Sequence, residues 1–247
     1  MTEPAVVPAQ RAEKTSFWED LIDIFFQPAD VFRRRKYASF WPPLAVVAVV
    51  IAAFTIANVN VLRPIMEAET SRQLAQMMKQ NPQFTPEMAE RGRAFGEKIQ
   101  DLIRYGTIVT IPVMLFLLGL WIWLGSKLFG AKQTFVATMV IVAYSFMPRM
   151  IESMLFAVQG LLMDPANLDA VTRIQMNPAR FFDPDTTNPM KLALLSRLDL
   201  FVIWFWSLVA VGLYVIGTVS RGKAAAFAFA MWIVGSLPAL RTAYMRM

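Results

Sequence analysis

Arg149 and Glu152 stand three residues apart inside an apolar run, AYSFMPRMIESMLF. Charges at membrane depth cost several kcal/mol unless they are paired or solvated. Their i,i+3 spacing puts both on one helix face, where they can neutralise each other. Pro148 has no N–H and frees the Tyr144 carbonyl from its helical bond. Tyr144, Ser145, Pro148, Arg149 and Glu152, with Asp199 opening the run RLDLFVIWFW, form a candidate intramembrane polar site. Its chemistry would be binding of an ion, a small solute or a lipid at a Pro-interrupted helix, as in discontinuous transporter helices. The competing use is structural. The same residues could sit at the outer interface, or lock the bundle through pairing with Asp199 or Arg241; Asp199 itself could meet Arg149 or Arg197.

Other chemistries are excluded by composition. The chain has no Cys and no His. Thiol nucleophiles, thiolate metal sites, His-based triads and zinc-hydrolase sites are therefore absent. No Gly-rich phosphate loop or paired-acid hydrolase motif is present. The carboxylates of DPD at 183–185 fit a solvated turn better than a metal site. No catalytic residue, metal or cofactor is expected, and the chain reads as non-enzymatic.

The elements that must position these residues are membrane helices. The 247 residues are 56% hydrophobic and 17% charged, with mean hydropathy +0.45. Soluble chains run about 45–50% apolar and about 25% charged. Apolar stretches lie at about 42–61, 106–129, 134–163, 190–219 and 224–240. In lipid each must satisfy its own backbone polar groups, so each is predicted to be a helix. The expected fold is an all-α membrane protein. It is a five-transmembrane-helix bundle with an N-terminal amphipathic interfacial helix and helical extramembrane loops. The third stretch measures roughly 45 Å at ~1.5 Å per residue, so it tilts and protrudes or breaks at Pro148. Thr85-Pro86 caps an amphipathic helix (Met88, Phe95, Ile99, Leu102) that leads into the second span, where a kink at Pro112 is expected. Ala48/Ala52, Ala53/Ala57 and Ala224/Ala228 sit four apart, offering small faces for close helix packing.

Three segments divide the chain: a disordered tail at 1–14, an amphipathic helix and basic cluster at 15–36, and a five-helix transmembrane domain at 37–247. Ser16 and Glu19 make a capping box for a short helix bearing Trp18, Leu21, Ile22 and Phe25. Too short to span, it is expected to lie on the membrane surface or dock on the bundle, ending near Gln27-Pro28. Arg33, Arg34, Arg35 and Lys36 then precede the first span. They set topology and could bind anionic lipid headgroups at about 1 kcal/mol each. The short basic segments 33–36, 126–133 and 220–223 all fall inside if the N-terminus is cytoplasmic and the C-terminus outside. The net charge of +6 thus suits orientation and anionic lipid, and no nucleic-acid partner is expected. Residues 1–14 carry no apolar signal region, so insertion is expected to rely on the internal helices.

FFQPADVFRRRK before the first span, the long polar loop, YSFMP in the third, and LDLFVIWFWSLVAVGLYVIGTVSRGKA together resemble the Yip1-domain family of membrane proteins, over roughly residues 20–240. The resemblance implies five transmembrane helices and a cytoplasmic N-terminus. Eukaryotic members are associated with Rab GTPases and vesicle traffic. The long N-terminal region of those members has no counterpart here, and no catalytic residues come with the family. The expectation is a multi-pass protein of the cell (inner) membrane. It would act as a scaffold or assembly partner, as a homo-oligomer or with other membrane proteins. The alternative is a small-solute or lipid transporter using the polar site at Pro148.

Overall fold

A computed structural model describes residues 16–81, 83–163 and 170–246; the tail expected at 1–14 lies outside them. Among the described residues the regular structure is entirely helical. The helices are α1 (Phe17–Asp23), α2 (Pro28–Arg35), α3 (Trp41–Ala57), α4 (Val59–Gln80), α5 (Pro86–Lys127), α6 (Phe135–Ser145), α7 (Met147–Leu162), α8 (Pro189–Ser196), α9 (Leu200–Val215) and α10 (Arg221–Tyr244). Short 3-10 turns lie at Val171–Arg173 and Pro178–Phe181.

Among the described residues three stretches are long and apolar enough to cross a membrane: Gly106–Lys127 within α5, Phe135–Leu162 through α6 and α7, and α10. The pair α8 and α9, bent by 46°, makes a fourth when the two are counted as one broken span. The sequence predicts a single helix over 190–219; the chain instead breaks between Ser196 and Leu200. The reason is local. Asp199 takes an extended backbone and its Oδ1 accepts the Phe201 and Val202 N–H groups at 3.0 and 3.2 Å, starting α9 afresh. The third stretch is interrupted only at Phe146, with Pro148 in the first turn of α7, where a missing N–H costs nothing. The expected amphipathic helix beyond Thr85 does run straight into a span, as the 42-residue α5.

At the centre stands α6. Thr138 to Ser145 are all buried, and Met139, Val140, Ile141, Val142 and Ala143 have no exposed surface. Helices α3, α5, α7 and α9 surround it. Gly212 of α9 lies so close that a Cβ there would meet Ile141 Cγ2 at 2.6 Å. By contrast, only 17% of the α5 span and 22% of the α10 span are buried. Both turn broad apolar faces outward. The turn at 128–134, which carries Lys132, and the turn at 216–220, which leads into Arg221 and Lys223 of α10, meet at one end of the bundle, where the Lys132 N–H donates to the Gly217 carbonyl at 3.1 Å.

Helices α1 and α2 form a hairpin docked on the bundle, one of the two placements expected for this segment. Asp20 has no exposed surface and receives Arg34 (2.6 Å) and Arg35; Asp23 also receives Arg34 at 2.6 Å. Trp18, Ile22 and Phe26 face outward. Ile24, Val31 and Phe32 join the central core, and Phe25 packs edge-on against Trp204 at 5.5 Å. Trp204 adjoins Phe205, which meets Phe146 near the middle of the α6–α7 span. The hairpin therefore lies alongside the spans. The acids and cations on its inner side neutralise one another, while Trp18, Ile22 and Phe26 stay on its outer side.

Candidate functional site

The break between α8 and α9 builds a polar cavity of about 230 Å³. Helix α7 supplies Arg149 and Glu152. The break supplies Arg197 and Asp199, and α10 supplies Trp232 and Ser236. Arg149 and Glu152 form the ion pair their spacing predicts, Nη1 to Oε2 at 2.7 Å, with Glu152 buried. Asp199 is 3% exposed. Its Oδ1 is used in the cap, while its Oδ2 is buried and accepts no hydrogen bond. The Arg197 Nε is likewise buried without an acceptor. Such orphaned polar atoms are rare and mark strain, function or a missing ligand. The expected pairing of Asp199 with Arg149 or Arg197 does not occur.

Two tryptophans shape the cavity. The Trp232 indole N–H donates to the Arg197 carbonyl at 3.1 Å, holding the break against α10. Trp206 and Trp232 line this cavity and also a second, apolar groove of about 330 Å³ between α9 and α10, lined further by Ile203, Ala210, Ala225 and Phe229. Toward the extramembrane side the cavity shares Ser196 and Arg197 with an open cleft of about 680 Å³. That cleft is roofed by α4 and the 170–189 segment. Arg72 pairs with Asp185 at 2.7 Å, and Glu69 accepts the Val171 N–H at 3.3 Å. On its rim the Asp185 backbone N–H, bonded at 2.8 Å, holds the Asp183 carboxyl below the usual carboxylate range.

The structure thus divides the site read from sequence. Arg149, Glu152 and Asp199 come together. Tyr144 and Ser145 lie on the far side of the Phe146 interruption, buried in α6, where the Asp20, Arg34 and Arg35 charges reach Tyr144. Arg197, Trp206, Trp232 and Ser236 were not legible as site residues; only the cation at Arg197, next to an acid in an apolar run, could have signalled its role. Of the small residues, Ala52, Ala224 and Ala228 are buried, Ala48 is half-buried, and Ala53 and Ala57 are exposed. Ala48, Ala52 and Ala53 line an apolar groove of about 490 Å³ against Ile108 and Pro112 of α5. In the basic cluster, Arg33 pairs with Asp30 and Lys36 lies over the Tyr37 ring, while Arg34 and Arg35 turn inward to Asp20.

A family model described as Yip1 domain matches residues 22–240. No curated protein and no solved structure matches the chain.

Proposed function

The chain belongs to the Yip1 domain family of membrane proteins, and we propose that it is a non-enzymatic scaffold of the cell (inner) membrane that works by assembling with further copies of itself. The observation that carries this reading is the groove between α3 and α5. Ala48, Ala52 and Ala53 leave about 490 Å³ of apolar space beside Pro112, facing lipid. In bilayers, close helix approach is driven by packing at small residues, because lipid tails are as apolar as leucine. A second helix fills such a groove better than a flexible acyl chain does. Five spans with the N-terminus inside complete the reading. At ~1.5 Å per residue α3 measures about 26 Å, and α4 follows it after one residue, enough to meet a ~30 Å core. The joined basic turns then face the cytoplasm.

The native chain has no cysteine, so Ala53→Cys, exposed at the groove, is a clean probe. Oxidation in native membranes is expected to give a disulfide-linked dimer, and adding Ala48→Leu to fill the groove is expected to abolish it. Monomer alone at Ala53→Cys, with monomeric native protein in mild detergent, would overturn self-assembly.

A second reading, movement of a small solute or lipid, is favoured by one observation: the cavity at Arg149, Glu152 and Asp199 holds an unpaired carboxylate oxygen close to an open cleft.

A further inference from the structure

The four charges of the cavity do not pair off evenly. Arg149 is taken by Glu152. That leaves Arg197 and Asp199, neither of them in an ion pair among the described residues, with a donor (Nε) and an acceptor (Oδ2) both buried and unused. Leaving a buried charged group unsatisfied is costly. One cation and one anion left over in a single cavity are complementary to a zwitterion. An anionic ligand would bring net charge into a site whose own charges already balance.

The acceptor narrows the class further. Asp199 Oδ2 needs a hydrogen-bond donor, which a primary ammonium has and a quaternary ammonium lacks. Trp206 and Trp232 stand on the wall, where indole faces attract a cation. Arg197 supplies a donor suited to a phosphate oxygen. The cavity, about 230 Å³, is smaller than the ~300–1,000 Å³ of sites that enclose whole ligands, so it fits a headgroup. The remainder of the ligand has a place as well. The apolar groove between α9 and α10 shares both tryptophans with the cavity and faces lipid. Asp199 lies at the very start of α9, and the cavity meets the open cleft at Ser196 and Arg197.

We propose that this cavity binds the phosphoethanolamine headgroup of a membrane phospholipid, with the ammonium at Asp199, the phosphate at Arg197 and an acyl chain along the α9–α10 groove. The inference deepens the second reading by naming the ligand of the same site, but it concerns binding alone and holds for a scaffold or a carrier.

The test uses the full chain in detergent, titrated with phosphatidylethanolamine, phosphatidylcholine and phosphatidylglycerol of matched acyl chains and followed by native mass spectrometry. Phosphatidylethanolamine is expected to bind about tenfold or more tighter than the other two, the scale of one charge-assisted hydrogen bond. Asp199→Asn keeps the helix cap, since Asn caps as well as Asp, and is expected to erase that preference with melting unchanged. Arg197→Gln is expected to weaken all three lipids. Ala225→Phe, on the exposed groove wall, is expected to weaken the lipid but not soluble glycerophosphoethanolamine. Equal affinity for the three lipids, or a preference that survives Asp199→Asn, overturns the proposal. Glycerophosphoethanolamine binding as tightly as the lipid overturns the lipid assignment. Selective binding without any transfer of phosphatidylethanolamine between leaflets of reconstituted vesicles upholds the proposal and removes the transport reading alone.

Discussion

Asp20→Ala is expected to destabilise the protein by about 3 kcal/mol, the lower end of the cost of breaking a buried ion pair. Asp20 has no exposed surface, and its two oxygens receive Arg34 and Arg35, whose side chains are only about a quarter exposed. Removing the acid takes from Arg34 and Arg35 the buried carboxylate they share, with Asp23 still bound to Arg34. Asp20 is wholly buried beneath the hairpin, so water is poorly placed to compensate. The expected outcome is release of the hairpin before the bundle melts. It is measurable as faster proteolysis near α1–α2 and a lowered melting temperature in detergent. Asp20→Glu, which keeps the charge, is expected to recover part of the loss. An unchanged melt in Asp20→Ala would mean that the hairpin adds nothing to the bundle.

Gly212→Leu is expected to cost about 2–3 kcal/mol, in the range for overpacking a core. Even the first added carbon would stand 2.6 Å from Ile141 Cγ2 and 3.0 Å from its Cγ1. Ile141 is wholly buried in α6 and has no room to retreat. Gly212→Ala is the milder form of the same clash, and Ile141→Ala removes the atom it meets. Combining these two is therefore expected to show favourable coupling of about 1 kcal/mol or more, read from thermal melts of the single and double variants. Additive costs would show that the α6–α9 crossing is looser than the geometry indicates.

How much of this was legible beforehand depends on which interactions are local. The capping box at Ser16 and Glu19, the Thr85 cap and the Arg149–Glu152 pair all act within four residues, and all three are found as read. The break before α9 was missed although Asp199 was noticed. An acid within a long apolar run was weighed as a membrane charge seeking a cation, whereas it serves first as a cap. The split of the polar site was not readable at all. Tyr144 and Glu152 share one span, but the turn at Phe146 and the docked hairpin assign them to different neighbours, and those neighbours lie far away in the chain. Arg34 and Arg35 carry the same lesson. A run of four cations signals a membrane boundary correctly by type, but only the fold reveals that two of them are used internally.

The docked hairpin also bears on the order of events during synthesis. Residues 17–35 leave the ribosome well before their partners α6 and α9, which begin only at Phe135 and Leu200. At ~5–20 residues per second, α9 starts roughly 10–30 s after α2 is complete. Through that interval Phe25 lacks the Trp204 ring, and α6 alone of the two partners is made before α9. A segment made early is thus seated late, and a nascent chain stopped before α9 would hold Phe25 without its ring partner.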